Sequence, residues 1–258
     1  TYNIDVKGIA AAMTTNTKAV IGVHLYGVPL ETDKIQAFCD GAKIHFIEDA
    51  AQAHGATYNS VPVGTNALAA TYSFYPGKNL GAFGDGGAVV TNSEDFLKKA
   101  KQYRNYGSSS KYNHEVIGTN SRLDELQAAL LNTRLKYADA FTQARRANAA
   151  LYSELLTHCE AVGTPSFPPN SDPCWHLYVI QVEDRDGLAQ FLEDNGIQTL
   201  IHYPTAVYRN SAYAALAPAG ETYSDYVSSR ILSLPIGPEL QPNDIKKICQ
   251  LITAFCEK

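Results

Sequence analysis

A chain of 258 residues, 45% apolar and 18% charged, is long enough for one large α/β domain with a smaller appendage. A net charge of −5, with Lys and Arg scattered along the chain, argues against nucleic acid as a partner. No apolar run approaches the ~18 residues of a membrane span, and no charged-then-apolar segment opens the chain as a secretion signal would. Five cysteines without CxxC spacing (Cys39, Cys159, Cys174, Cys249, Cys256) fit reduced thiols in a cytoplasmic protein. The chain opens at Thr1 and its only methionine is Met13, the pattern of a cut through a longer protein.

In chain order, Val20–Tyr26 predicts a buried strand ended by Gly27 and Pro29. Thr32 offers an N-cap to a helix whose inner face carries Ile35, Phe38 and Cys39. Ile44–Ile47 is the next strand and runs into Glu48-Asp49, so the three elements predict a parallel βαβ unit. Ala70–Tyr75 is a third strand, broken by Pro76-Gly77. Gly86–Thr91 follows too closely for a crossover helix and should pair antiparallel. Thr91-Asn92-Ser93-Glu94 is a capping box for a helix bearing Phe96, Leu97, Ala100 and Tyr103.

Gly107–Ser110 is a polar break that predicts a mobile loop, and a long helix is expected from about Leu123, with Leu126, Leu130 and Leu135 near helical spacing. Thr164–Pro169 predicts a linker into a second domain. That domain holds the strand Leu177–Val182, a helix ending at Gly196, and a closing helix with Ile245, Ile248, Leu251, Ile252 and Phe255.

Two residues suggest chemistry. Asp49 falls at the carboxyl end of a parallel strand, where open α/β sheets place ligands. A carboxylate there can hold a protonated ring nitrogen, although Asp49 equally suits the cap of a helix begun by Ala50 and Ala51. Lys78 sits in the turn Tyr75-Pro76-Gly77-Lys78-Asn79, where Gly77 lets the backbone bend and the flanking aromatics partly desolvate the amine. A turn lysine is commonly just a solvated charge. Together, though, Asp49 and Lys78 follow sheet strands at one edge, within reach of a single ligand. Ser73, on the strand before Lys78, has a hydroxyl for a phosphate or is simply a small inward residue.

Several stretches then carry a resemblance: Glu48-Asp49-Ala50-Ala51-Gln52-Ala53-His54-Gly55-Ala56, Ser73-Phe74-Tyr75-Pro76-Gly77-Lys78-Asn79-Leu80-Gly81, Gly84-Asp85-Gly86-Gly87-Ala88 and Arg104-Asn105-Tyr106-Gly107. Asn120 to Ala129, Ile201-His202-Tyr203-Pro204 and Leu232-Ser233-Leu234-Pro235 continue the same order. Across nearly the whole chain this resembles the DegT/StrS-type sugar aminotransferases. The resemblance implies a fold-type-I α/β architecture. Residues 1–135 would form a large domain with a mixed, mostly parallel sheet, and 136–258 a smaller carboxy-terminal α/β domain with its connecting helix.

It also implies pyridoxal 5'-phosphate as cofactor, joined to Lys78 as an imine. Asp49 would hold the pyridinium nitrogen, Gln52 would contact the ring or its 3-hydroxyl side, and Ser73 would bind the phosphate. Asn120 would reach the phosphate of the other subunit of a homodimer with shared active sites. His202 and Tyr203 would lie on the substrate side. Lys at position 78, where dehydratase relatives carry His, favours amino transfer. The implied reaction moves nitrogen from an amino acid such as glutamate to a nucleotide-linked ketosugar; residues 104–127 resemble members acting on dTDP-3-keto-6-deoxyhexoses.

The resemblance starts inside the family pattern. About the first third of a complete member has no counterpart, including a Ser-Gly-Thr turn for the phosphate and an aromatic residue for the ring. Exposed apolar surface is therefore expected, and the alternative is a truncated, non-catalytic relative, a gene fragment or binding remnant that cannot hold the cofactor. Rival motifs fare poorly. Gly81, Gly84, Gly86 and Gly87 are out of order for GxGxxG and lead into a strand. No GxSxG elbow is present, and Cys174 has only His176 nearby, itself read as a strand start. The seven histidines show no metal-ligand spacing, so no metal is expected.

Overall fold

The structure is a computed structural model and describes residues 1–257. It divides into two compact units, one of residues 1–143 with 167–176 and the other of residues 144–166 with 177–258.

The first unit begins with helix α1 (Val6–Ala12), capped by Asp5, and strand β1 (Ala19–Val23). Helix α2 (Thr32–Ala42) carries the chain back to β2 (His45–Asp49), which pairs parallel to β1 from Ala19↔His45 to Val23↔Asp49. Strand β1 stops earlier than the apolar run predicts. His24 turns inward and Tyr26 takes a left-handed φ of 61°, so Leu25–Gly27 forms a tight turn. Helix α2 starts on Glu31, with Thr32 already inside it. It buries Ile35 and Cys39 against Leu30, Phe46 and Ile9, and Phe38 packs at the rim. Ile35 and Cys39 are four apart on one helix face, and each fully buried aliphatic contributes about 1.5–3 kcal/mol.

Two short strands, β3 (Thr57–Tyr58) and β4 (Val61–Pro62), form a small ribbon before β5 (Ala69–Ser73). Strand β5 joins β2 in parallel and β6 (Gly87–Val90) closes the order β1-β2-β5-β6 antiparallel. On one sheet face Phe46, Glu48 and Ala70 are buried. On the other, Ile21 (61%), Val23 (38%) and Val89 (47%) remain exposed, in line with the apolar surface expected.

Helix α3 (Glu94–Tyr103) is capped by Ser93, whose Oγ accepts from the Phe96 amide at 3.2 Å. Thr91 is spent elsewhere, donating to the Leu68 carbonyl at 2.6 Å. Residues 107–110, expected as a loop, fold into a hairpin of β7 (Ser108–Ser110) and β8 (Asn113–His114). Gly107 is required there: its φ is +71°, and a Cβ would fall 1.6 Å from the Val116 carbonyl oxygen. Helix α4 (Glu125–Leu135) follows where a helix was expected; it buries Leu131 and leaves Leu126 and Leu135 exposed.

Helix α5 (Ala138–Leu156) runs from the first unit into the second. Within the second unit, Tyr152 stacks on Tyr178 with ring centroids 4.9 Å apart and donates to the Pro235 carbonyl at 2.9 Å. Burial pushes both phenols upward, Tyr178 to about 12. The chain passes through β9 (Ser171–Asp172), which adds to the first unit's ribbon, before β10 (Tyr178–Gln181). Helix α6 (Arg185–Asp194) ends before Gly196, α7 (Tyr223–Ser228) carries a Thr222–Asp225 capping box, and β11 (Ile231–Leu234) pairs antiparallel with β10. Helix α8 (Pro242–Cys256) closes the unit on Ile245, Ile248 and Ile252 of the expected face, with Cys249 buried beside them and Leu251 and Phe255 half-buried. No helix among the described residues is long and apolar enough to cross a membrane.

Candidate functional site

The carboxyl ends of β2 and β5 are neighbours, since Asp49 pairs with Thr71 and Ser73 lies two residues further on. Asp49 Oδ1 accepts from the Ala51 amide at 3.0 Å, so the local backbone reading is correct in part, but residues 50–55 make turns and no helix. Asp49 Oδ2 makes no hydrogen bond among the described residues, which leaves one carboxylate oxygen for a ligand.

Gln52 is 8% exposed, and its Oε1 accepts from the Tyr26 amide at 2.7 Å. That bond fixes the amide's orientation and turns its NH₂ side away from Tyr26; the NH₂ has no hydrogen bond among the described residues. Ser73 Oγ accepts from the Tyr75 amide at 3.2 Å, so its own proton is available to an anion.

Lys78 is half-buried in a turn closed by its amide donating to the Tyr75 carbonyl at 2.9 Å. Burial lowers its ammonium below the ordinary 10.5, and the Asp49 carboxylate offsets part of that shift. The two groups are thus in electrostatic contact range. Gly77 is not what permits the turn: a Cβ there would meet only the Tyr75 ring, at 3.6 Å. Gly81 is, because a Cβ would stand 2.5 Å from the Pro76 carbonyl oxygen.

The neighbours of Lys78 come from far along the chain and were not legible as site residues. Asn79 donates to the Cys174 carbonyl at 3.0 Å, and its Oδ1 lies 3.2 Å from His176 Nδ1. His176 precedes β10 in a bend and does not start the strand. Gln127 of α4 accepts from the Phe83 amide at 2.9 Å, which ties the segment after the lysine to that helix. His54 packs beside Tyr72 and Phe74 at 5.3 and 5.9 Å, its ring nitrogens buried near the Ser73 backbone without a well-formed hydrogen bond. Burial and then the Lys78 charge push it down to about 4, so it stays neutral and does not compete with Lys78 for a proton near neutrality.

Beneath the site, Glu48 is completely buried. The Leu30 amide donates to His24 Nδ1 at 3.1 Å, so that nitrogen carries no proton and Nε2 donates to Glu48 Oε2 at 2.9 Å. The Gly64 and Ala67 amides complete the carboxylate's shell. Burial alone would raise Glu48; these donors outweigh it and hold it below its ordinary value.

Asn120 is exposed, bridged to Asn105, with its Oδ1 accepting from Arg122 Nε at 3.1 Å. His202 and Tyr203 belong to the second unit, where His202 Nδ1 is 2.8 Å from Ser233 Oγ and Tyr203 is exposed. His202, with Ser233 and Leu200, lines a cavity of about 710 Å³. No group of three or more His, Cys, Asp or Glu side chains among the described residues is placed to hold a metal ion.

A parallel sheet with an antiparallel edge, an Asp at the end of one strand and a half-buried turn Lys after the next define the fold-type-I class of pyridoxal-phosphate-dependent transferases. The chain belongs to the DegT/DnrJ/EryC1/StrS aminotransferase family, whose model matches residues 1–253. It is 43% identical to a dTDP-3-amino-3,4,6-trideoxy-alpha-D-glucose transaminase of Streptomyces venezuelae, over 97% of this chain and 66% of that one. It is 40% identical to a dTDP-3-amino-3,6-dideoxy-alpha-D-galactopyranose transaminase of Aneurinibacillus thermoaerophilus, over 99% and 70%. The crystal structure of S. venezuelae DesV with a ketimine intermediate superposes with a TM-score of 0.96 at 43% identity, covering 99% of this chain and 70% of that one. The chain thus spans about two thirds of the length of the relatives it matches.

Aminotransferases of this family use pyridoxal 5'-phosphate. The residues present suit that group: a spare carboxylate oxygen, an amide donor, a hydroxyl donor and a desolvated amine, at adjoining strand ends.

Proposed function

We propose that this chain carries the cofactor-binding centre of an aminotransferase that moves an amino group from an amino acid, glutamate, to a nucleotide-linked ketosugar. The finer substrate reading is a dTDP-3-keto-6-deoxyhexose. It is supported by residues 104–127 and by relatives named for dTDP-3-amino sugars. The observation that carries the proposal is Lys78, an amine half-buried beside Asp49 at the carboxyl edge of the sheet.

In this reading Lys78 holds pyridoxal 5'-phosphate and then moves a proton at its Nζ between substrate and cofactor carbon. The lowered affinity of that amine for protons makes it a competent base nearer neutrality. Asp49 keeps the pyridine nitrogen charged through its spare oxygen. Gln52 donates toward the 3-hydroxyl side, and Ser73 donates to the phosphate. When bound, the cofactor supplies an electron sink for the pair left after proton removal. His202 and Tyr203 are the substrate contacts, and Asn120 serves the phosphate of the partner in a homodimer.

The test is covalent capture. The chain is incubated with pyridoxal 5'-phosphate, reduced with borohydride and mapped by peptide mass spectrometry. A pyridoxyl adduct confined to the Lys78 peptide, and absent in Lys78→Arg, is the expected result. Adducts spread over surface lysines at equal yield would sink the assignment.

A further inference from the structure

One short segment, Cys174-Trp175-His176, bonds to the turns that follow β1, β2 and β5, three neighbouring strands of the sheet. After β1, the Gly27 carbonyl accepts from the Cys174 amide at 3.0 Å. After β2, the Gln52 carbonyl accepts from Cys174 Sγ at 3.2 Å. After β5, Asn79 Nδ2 donates to the Cys174 carbonyl at 3.0 Å, and Asn79 Oδ1 lies 3.2 Å from His176 Nδ1. Cys174 and Trp175 are buried, and Trp175 packs edge-on to Phe167 with centroids 5.7 Å apart. The segment is a packed wall of the same unit as the sheet, although 95 residues of chain separate Asn79 from Cys174.

The hydrogen positions follow from the pairing. A side-chain amide has one donor end and one acceptor end, and Asn79 Nδ2 serves the Cys174 carbonyl. Oδ1 therefore faces the ring, and His176 Nδ1 carries the hydrogen between them. An Nδ1–H donates in the neutral tautomer and in the imidazolium alike, so the bond does not depend on the ring's charge. Asn79 shares a peptide with Lys78, whose own amide donates to the Tyr75 carbonyl at 2.9 Å. The lysine backbone is thus held on one side by its turn and on the other by Asn79.

We infer that His176 is a positioning residue for Lys78: through the Asn79 side-chain amide it holds the lysine turn in the conformation that half-buries the amine. This deepens the proposed function and rests on Lys78 being the cofactor lysine. Burial, more than the opposing Asp49 charge, keeps that amine below the ordinary 10.5. A turn that loosens and admits water therefore raises it toward that value and spreads the amine over orientations that do not meet the cofactor.

The experiment takes two readouts from the full chain. Without cofactor, trace acetylation by acetic anhydride over a pH series, read by peptide mass spectrometry, gives the titration of Lys78. With pyridoxal 5'-phosphate, borohydride capture gives the Lys78 adduct. His176→Leu removes the donor, and its titration should move up toward 10.5 while the adduct falls about 2–10-fold, the factor one net hydrogen bond supplies. His176→Asn, which keeps an N–H near the place of Nδ1, should restore both. Asn79→Ala should shift the titration at least as far, and adding His176→Leu to it should change nothing more. A lowered thermal midpoint with the Lys78 titration in place is the mark of a merely structural role and would overturn the inference. Equal shifts in His176→Asn and His176→Leu, or additive effects in the double variant, would do the same. The expected titrations with no wild-type Lys78 adduct would support the positioning and count against the cofactor reading alone.

Discussion

Glu48 and Asp49 are adjacent carboxylates with opposite fates, because successive residues of a strand face opposite sides of the sheet. Asp49 stays half-buried with an oxygen to spare, whereas every acceptor of Glu48 that the fold can reach is taken by His24, Gly64 and Ala67. Its depressed pKa ties stability to pH in a definite direction. The unfolded carboxyl binds a proton more readily than the folded one, so the stabilisation is complete above the ordinary 4.5 and is lost as pH falls through the lower folded value. In urea titrations at a series of pH values, the midpoint should fall on this acid limb. Glu48→Gln should flatten that part of the limb and cost about 2–4 kcal/mol near neutrality, since its NH₂ would face backbone donors. An unchanged midpoint in the variant would remove Glu48 from this role.

Among the elements, the lysine turn depends on close backbone approach more than on flexibility. Gly81→Ala places its Cβ against the Pro76 and Tyr75 carbonyl oxygens, at 2.5 and 2.8 Å. It should cost roughly 1–3 kcal/mol, lower the thermal midpoint by several degrees and reduce the Lys78 adduct. Gly77→Ala should change neither by much; equal effects from both would contradict the geometry. This contrast marks where sequence reading reaches its limit. The βαβ order, the antiparallel return and the α8 face were legible because hydrophobic period and loop length decide them. Asp49, Gln52, Ser73 and Lys78 were proposed from their ordered stretches, and the structure sets Asp49 and Ser73 at neighbouring strand ends. The glycine that matters could not be chosen, because Gly77 and Gly81 differ only in what lies across the turn. The helix of α4 was legible from its leucines, but not which of them it buries: Leu131 is covered and Leu126 is 71% exposed. The end of β1 was set by the buried His24–Glu48 bond, which no local pattern reports.

For the molecule as a whole, Ile21, Val23 and Val89 on one sheet face are exposed apolar side chains. Such a surface should bind a hydrophobic-surface dye in the folded chain. Ile21→Thr with Val89→Thr should reduce that fluorescence without lowering the thermal midpoint. Dye signal that appears only on unfolding would contradict the exposed face. The two units are also interleaved in sequence, since residues 167–176 return to the first after the chain has entered the second. Asn79, next to Lys78, donates to the Cys174 carbonyl and meets the His176 ring in that returning segment. A ribosome that has made every residue of the lysine motif has therefore not yet made its brace. Nearly a hundred further residues must emerge before the turn can be locked, so it stays open long after its own sequence is complete.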